Sequence, residues 1–250
     1  MRIVVCVKQV LALGDEVEFA DDGLDVDPDY LEPALNEWDS FAAEEALRLR
    51  ERLGGEVILV TCGGEGSEKA LRRCLAMGAD RAIRVEGVEG HDPISIARAL
   101  AEVVRGESPD LVLCGVQSSD SVQAATGTAL AELLGLPRVA VVTKLDWDGS
   151  GPATVHRELE GGLIAITEVD TPALLTIQTG INEPRYANLR AIKQAEQVEI
   201  DVRQASDGGS PDYRVRRMFA PPKGEGAEIL DGNPAEVARR IAEILQERLT

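Results

Sequence analysis

A chain of 250 residues can bury a sizeable core, and it fits one large α/β domain or one domain with an appendage. Its 44% hydrophobic and 28% charged residues are typical of a soluble protein, and no apolar run reaches the length of a membrane span. The net charge of −18 argues against nucleic-acid binding, which requires a basic surface. The N-terminal MRIVVCVKQV is too short and too strand-like for a signal peptide, so we expect a cytoplasmic protein that is not embedded in a membrane.

Neither the cysteines nor the histidines form a recognisable motif. The cysteines show no CxxC pairing, and the histidines are far apart and outside any catalytic pattern. These residues are Cys6, Cys62, Cys74 and Cys114, with His91 and His156. We therefore expect no metal site and, for Cys6 and Cys114 in or beside apolar runs, buried free thiols.

The first half of the chain alternates between strand and helix patterns. RIVVCV (2–7) is typical of a strand buried on both faces of a parallel sheet. After an excursion or small hairpin at 17–28 around Asp22-Gly23, a helix is predicted to begin at Asp39 or Ser40 as its cap and to end at Gly54. Further strands are predicted at 56–62, 81–86 and 110–115. Further helices are predicted over EKALRRCLAM, which ends before Gly78, and over ATGTALAELL, which ends before Gly135. A third is predicted over DPISIARALAEVV, which Asp92 and Pro93 open. This order predicts a doubly wound, mostly parallel α/β sheet.

From about residue 139 the spacing changes. AVVTKLDWDG, TVHRELEGG, LIAITEVD and PALLTIQT alternate between apolar and polar residues and are separated by Gly and Pro, which predicts hairpins added to the sheet. INEPRYANLRAIKQA then places a charged, aromatic turn before a short helical piece that carries Leu189 and Ile192. Beyond 196 the chain is polar and Gly/Pro-rich and ends in the amphipathic PAEVARRIAEILQERL, which we expect to form an arm and helix that pack on a partner or on the chain's own core.

Ligands of open α/β sheets bind beyond the carboxyl ends of the strands, here after Val7, Thr61 and Gly115. The glycines of CGGEGS (62–67) and the hydroxyl groups of GVQSSDSVQAATG (115–127) suit a phosphate, although Gly-rich loops are often only tight turns. Asp120 can accept from a ribose or an adenine amino group. GxGxxG and GxxxxGK[ST] do not occur, nor does a Ser-His-Asp arrangement. The residues alone therefore indicate a nucleotide-binding α/β protein without obvious covalent catalysis.

Several motifs in register resemble the β subunit family of electron transfer flavoproteins. INEPRYANLRAIKQA is similar to the [LIV]NEPRY-x-[ST]-L-x-x-I-x-x-A segment that marks this family. VCVKQV, NEWDSFAAEEALRL, VTCGGE, CLAMGADRAI, GVQSSDSVQAATG and HRELEGG follow in the family's order and spacing, and the resemblance is weakest after about residue 200.

The resemblance implies a Rossmann-like, adenine-nucleotide-binding fold and a heterodimer. In this family the α subunit carries the FAD, and the β subunit binds a buried, structural AMP. Electron-bifurcating members hold a second FAD in that region and have a DGDTAQVG-like loop. This chain has DSVQAATG with Thr126 before Gly127, which favours AMP. It would contain no catalytic residue of its own.

The resemblance also carries a set of site residues. The adenine and ribose site would involve Cys6, Asn36, Glu37, Trp38, Asp39 and Cys62. The loop at 115–127 would surround the phosphate, with Gln123 and Thr126 as the best side-chain candidates, and it also contributes Gly115, Gln117 and Asp120 to the site. Three positions depart from the family: Ala124 and Ala125 replace a frequent Asn-Gln pair, and Trp38 replaces a Phe or Tyr that follows Pro. Asn36 and Asp39 can equally be helix caps, and Cys6 a small residue for close packing.

For partners, the resemblance implies the α subunit, acyl-CoA or related dehydrogenases as donors, and a quinone oxidoreductase as acceptor. Residues 1–200 would form the nucleotide-binding domain, with a recognition loop near 182–195, and 201–250 an extension that packs on the partner subunit. Leu189 would insert into a pocket of the dehydrogenase, with Ile192 beside it, unless Leu189 packs inward. Glu158 would hold the FAD domain of the α subunit through an ion pair, unless it is a solvated charge. The alternative of another class, an ATP-using enzyme or nucleotide sensor, would need an SGGxDS or Gly-rich triphosphate loop, which is not seen.

Overall fold

The computed structural model describes residues 1–12, 17–27, 31–88, 92–206, 215–222, 226–227 and 229–249. In these ranges the strands are β1 (Arg2–Cys6), β2 (Gln9–Ala12), β3 (Glu32–Leu35), β4 (Glu56–Cys62), β5 (Arg81–Glu86), β6 (Leu111–Gly115), β7 (Arg138–Asp146), β8 (Ala153–Glu158), β9 (Ile164–Val169), β10 (Ala173–Ile177) and β11 (Asp201–Gln204). The helices are α1 (Glu37–Leu53), α2 (Glu68–Met77), α3 (Pro93–Glu107), α4 (Thr126–Leu134), α5 (Leu189–Ala195) and α6 (Pro234–Leu249). His91, which stands in no motif, lies outside the described residues, as do 207–212 of the polar stretch SDGGSPD.

Nine strands of the described chain form one sheet in the order β11-β5-β4-β1-β6-β10-β7-β8-β9. Its pairs are parallel from β11 to β7 and antiparallel from β7 to β9. From β1 the chain builds outward through β4 and β5, then returns to β6 on the other side of β1. The carboxyl ends of β1 and β6 therefore flank the switch point where ligands of such sheets bind.

The side chains of the sheet alternate between two buried layers. Ile3 and Val5 of β1 face one layer with α1 and α2, whereas Val4 and Cys6 face the other with α3 and α4. Because helices cover both faces, the parallel strands are apolar throughout. The predicted doubly wound α/β class is confirmed.

The predicted hairpins are confirmed for β7, β8 and β9, but not for the segment PALLTI. That segment forms β10, which inserts between β6 and β7 and pairs in parallel with both. All five residues of β10 are buried, as expected for a central strand. The predicted excursion at 17–28 is a small hairpin in its described part, where Phe19 bridges Val26 around Gly23.

The predicted helix caps are right in part. α1 begins at Glu37 with Asn36 as N-cap, not at Asp39 or Ser40, although it ends at Gly54 as predicted. The reason is that the Asp39 carboxylate accepts from distant backbone N–H groups instead of those of its own helix. The predicted start of α3 is confirmed, since the Asp92 side chain accepts from the Ser95 N–H.

Candidate nucleotide site

A cavity of about 520 Å³ lies at the carboxyl ends of β1, β4 and β6. Most of the residues that we predicted for a nucleotide line it: Cys6, Asn36, Asp39, Cys62, Gly115, Gln117, Gln123 and Thr126. Glu37, Trp38 and Asp120 do not. Residues three apart share a helix face, so the first turn of α1 aims Asn36 and Asp39 inward together. Glu37 is exposed, and the Trp38 indole N–H donates to Gln178, 2.9 Å away.

Asn36 and Asp39 join the ends of β1 and β6. Asn36 Nδ2 donates to the Gln117 carbonyl at 2.8 Å. The Asp39 carboxylate accepts from the backbone N–H groups of Lys8 and Gly115, both at 2.8 Å. Burial raises the pKa of Asp39 to about 6, although these hydrogen bonds work to lower it. Both side chains therefore fix the shape of the cavity as well as lining it.

Two glycines permit close packing around the cavity. A Cβ atom at Gly115 would lie 2.5 Å from Asp39 Oδ1, and one at Gly127 would lie 2.7 Å from Cys114 Sγ and 2.8 Å from Thr176 Cγ2. Any side chain at either position would push α1 or α4 away from the strand ends.

The N-terminus of α4 opens on the cavity. Ala125 is its N-cap and Thr126 its first residue, and both line the cavity. Ala125 has no side-chain oxygen to accept from the N–H groups of the first turn. Such N–H groups, with the positive end of the helix dipole, favour an anion. Ser118 and Ser121 add hydroxyl groups from the same loop.

The opposite lining is apolar or weakly polar. Ile96 and Leu100 of α3 and Leu130 of α4 contribute hydrocarbon surface. Burial raises the pKa of Cys6 to about 12, with a smaller effect of the Asp39 charge, and raises that of Cys62 to about 11. The thiols are therefore neutral near pH 7. Cys6 and Cys114 are buried and free, as predicted; Cys74 is also buried and free, and Cys62 is half-buried.

Lys8 also lines the cavity, although we did not predict it as a site residue. Its Nζ lies 2.6 Å from Asp120 Oδ1 and 3.2 Å from Ser118 Oγ. Burial works to raise the pKa of Asp120, but the hydrogen bonds from Lys8 and Ser118 outweigh it and lower that pKa. The position of Lys8 directly after β1 was the available signal, since residues after parallel strands converge at the site.

The segment predicted as a recognition loop, residues 182–195, lies on α1 and α2. Arg185 Nε and its backbone N–H donate to Glu44 Oε2 at 2.8 and 3.1 Å, and Arg185 Nη1 donates to Glu51 at 2.5 Å. The Glu44 side chain is only 3% exposed. We call these contacts the Arg185 clasp. Asn182 Nδ2 adds bonds to Glu45 and to the Phe41 carbonyl.

The far end of the loop is held as well, while Leu189 and Tyr186 of the loop are exposed. Arg72 Nη1 donates to the Ala195 carbonyl at 2.9 Å, at the last turn of α5. Leu189, the first residue of α5, is 79% exposed, so it does not pack inward. Ile192 is half-buried and packs partly against the core. Tyr186 is 89% exposed under the Arg73 guanidinium.

Glu158 is the third residue, after Leu189 and Ile192, that we predicted to contact a partner protein. It lies at the end of β8 and is exposed. It forms no ion pair with any residue that the structure describes. It is 31 residues before Leu189 in sequence. Neither residue lines the cavity.

Fold and cavity together define a Rossmann-like α/β protein with its ligand cavity at the switch point of a parallel sheet. The electron transfer flavoprotein domain model matches residues 24–208. The electron transfer flavoprotein subunit beta of Methylophilus methylotrophus is 45% identical over 99% of this chain and 98% of its own. The electron transfer flavoprotein subunit beta of Bacillus subtilis is 35% identical over 88% of this chain and 89% of its own. That of Sus scrofa is 36% identical over 84% of this chain and 83% of its own.

The chain belongs to the electron transfer flavoprotein β subunit family. This is the family that the sequence motifs indicated, and its members act in electron transfer. Among the described residues, no helix is both long and apolar enough to cross a membrane. Nor do those residues contain a group of three or more His, Cys, Asp or Glu side chains placed to hold a metal ion.

Proposed function

We propose that this chain is the β subunit of a heterodimeric electron transfer flavoprotein, with AMP as a structural ligand. One observation carries the proposal: the cavity at the switch point joins an apolar wall to a helix N-terminus within a chain of this family. A volume of about 520 Å³ lies in the usual range for a small-molecule site.

The residues of the cavity fit AMP chemically. Ile96, Leu100 and Leu130 provide the apolar surface that a purine base requires. Thr126 and the free N–H groups of α4 suit the phosphate. A ligand that binds only the folded chain raises its stability by mass action, so AMP would stabilise the joined ends of β1 and β6.

The FAD of the α subunit would accept and pass on the electrons. This chain would anchor that subunit and recognise electron-donating dehydrogenases, such as acyl-CoA dehydrogenases, while a quinone oxidoreductase receives the electrons. Leu189 supports such docking, because its exposed side chain stands on a loop that is fixed at both ends. Its partner would hold it in an apolar pocket.

Two exposed surfaces support contact with the α subunit. Beside Glu158, the edge strand β9 exposes Ile164 (58%) and Ile166 (68%). On α6, Ile241, Leu245 and Leu249 are exposed at intervals of four residues, which places them along one side of the helix. We propose that Glu158 pairs with the α subunit and that residues 201–250 pack on it.

Co-expression with the α subunit tests this proposal. We expect the two chains to co-purify with one flavin per heterodimer, counted from the flavin absorbance and the protein concentration. Two flavins per heterodimer would instead indicate FAD in the β site, as in an electron-bifurcating protein. A chain that purifies alone, without flavin, would contradict the heterodimer.

A further inference from the structure

The nucleotide cavity contains one cation in a strongly acidic chain. The net charge is −18, yet among the described residues that line the cavity Lys8 is the only Lys or Arg and Asp39 the only Asp or Glu. The Asp39 carboxylate is already bonded to two backbone N–H groups. Lys8 is therefore the one side chain of the described lining that offers a ligand a positive charge.

The backbone of Lys8 is fixed on both sides. Its N–H donates to Asp39 at 2.8 Å, and its carbonyl accepts from the Asn36 N–H at 3.0 Å. The side chain therefore leaves the end of β1 from a defined point. It reaches the loop after β6, more than 100 residues away in sequence, where Asp120 and Ser118 bind the ammonium.

The Asp120–Lys8 pair presents its positive side to the cavity. Lys8 and Ser118 line the cavity, whereas Asp120 does not. An ammonium group has three N–H donors, and the bonds to Asp120 and Ser118 use two of them. One donor is left for a ligand, and a bond from an ammonium to an anion is charge-assisted and strong. Without the ammonium, the Asp120 carboxylate would repel an anion in this loop.

We propose that Lys8 is the residue that makes this cavity select a phosphorylated nucleotide over the nucleoside, by binding the phosphate, with Asp120 as the group that positions the ammonium. The inference rests on the proposed function, since it takes AMP as the ligand. It adds to the site a residue that determines specificity. Lys8 follows β1 and faces the loop after β6, in which Ala124 and Ala125 offer no side-chain polar atoms.

A competition between AMP and adenosine tests this role. The purified heterodimer is denatured, freed of nucleotide, and refolded with equal concentrations of AMP and adenosine, after which the retained ligands are quantified by chromatography. Lys8→Met removes the charge and the donors, Lys8→Gln keeps donors without charge, and Lys8→Arg keeps the charge. Lys144→Met is the matched control, because Lys144 forms an ion pair with Asp146 at 2.8 Å and does not line the cavity.

We expect the wild-type protein, the Lys144→Met control and the Lys8→Arg variant to retain AMP preferentially. The AMP-to-adenosine ratio should fall at least tenfold in Lys8→Met and Lys8→Gln, with adenosine retention unchanged. An unchanged ratio in these two variants would overturn the inference and leave the proposed function standing. Failure of all three Lys8 variants to refold would show a structural role and overturn it too. A wild-type protein that retains neither ligand would overturn the proposed function itself.

Discussion

Asp39 shows how one side chain can decide the geometry of a site. Its carboxylate is 5% exposed and accepts from residues 31 and 76 positions away, which fixes the end of β1 relative to that of β6. From the sequence it resembled a helix cap, because an Asp near the start of an amphipathic helix usually is one. Only the three-dimensional arrangement brings its real partners, the N–H groups of Lys8 and Gly115, within reach.

The buried Asp39 gives a testable pH dependence. Its folded pKa is about 6 against an ordinary 3.8, so the folded state binds the proton more tightly than the unfolded state. Its contribution to stability is thus complete below about pH 4 and is lost as the pH rises through 6. We expect the unfolding free energy of the wild type, minus that of Asp39→Asn, to fall by up to roughly 3 kcal/mol between pH 4 and 7.

Urea titration of both proteins at several pH values measures this difference. Asn cannot accept from both N–H groups at once, so Asp39→Asn also loses some stability at every pH. That constant offset does not affect the slope. A difference that is flat with pH would show that Asp39 titrates normally, and one that rises would show that its pKa is lowered in the folded state; either result would contradict this prediction.

At the scale of elements, the Arg185 clasp joins an irregular segment to α1. Arg185 is about one-third exposed, whereas Glu44 is nearly fully buried. Burial works to raise the pKa of Glu44, but Arg185 and Arg48 outweigh it and lower that pKa, so the carboxylate stays charged. Removal of Arg185 leaves a buried charge with fewer partners, which is costly.

We therefore expect Arg185→Met to lower the unfolding free energy by roughly 1.5–3 kcal/mol, the usual range for hydrogen bonds to a charged group. Amide hydrogen exchange in α5 should become faster, because the loop loses its attachment to α1. Arg138→Met is the matched control, since Arg138 is exposed on β7. Equal protection of α5 in both variants would mean that Arg72 and the core contacts hold the loop without the clasp.

Leu189 tests the docking proposal at the same scale. One buried aliphatic side chain contributes roughly 1.5–3 kcal/mol, so we expect Leu189→Ala to raise the Michaelis constant for the dehydrogenase reaction about 10- to 100-fold. Assembly with the α subunit should be unaffected. Leu24→Ala, at another exposed leucine, should change neither quantity. Unchanged donor kinetics in Leu189→Ala would refute the docking role.

The sequence predicted the bounds of strands and helices better than it predicted which strands pair with each other in the sheet. The boundaries of β4 and β5 and the helix ends at Gly54 and Gly78 follow from local patterns, since apolar runs and glycines act over a few residues. The insertion of β10 between β6 and β7 depends on contacts that no local pattern encodes. Similarly, the motifs located most of the cavity, whereas the ion pair of Lys8 with Asp120 joins residues 112 positions apart.

For the whole molecule, the parallel sheet explains why one cavity gathers residues from such distant segments. The ends of β1, β4 and β6 meet at the switch point, so each strand contributes one loop to the site. The net charge of −18 favours solubility and also repels anions. A cation in the cavity, Lys8, therefore matters more for the binding of an anionic ligand than it would in a neutral chain. The division between residues 1–200 and 201–250 stays a prediction, and β11 continues the sheet directly after that point.

The nucleotide content of the protein tests the central claim most directly. Heterodimer purified without added nucleotide is denatured, and the released ligands are identified by chromatography and mass spectrometry and counted against protein. We predict one AMP and one FAD per heterodimer. ATP, a second FAD in place of AMP, or no adenine nucleotide apart from the single FAD would contradict the account.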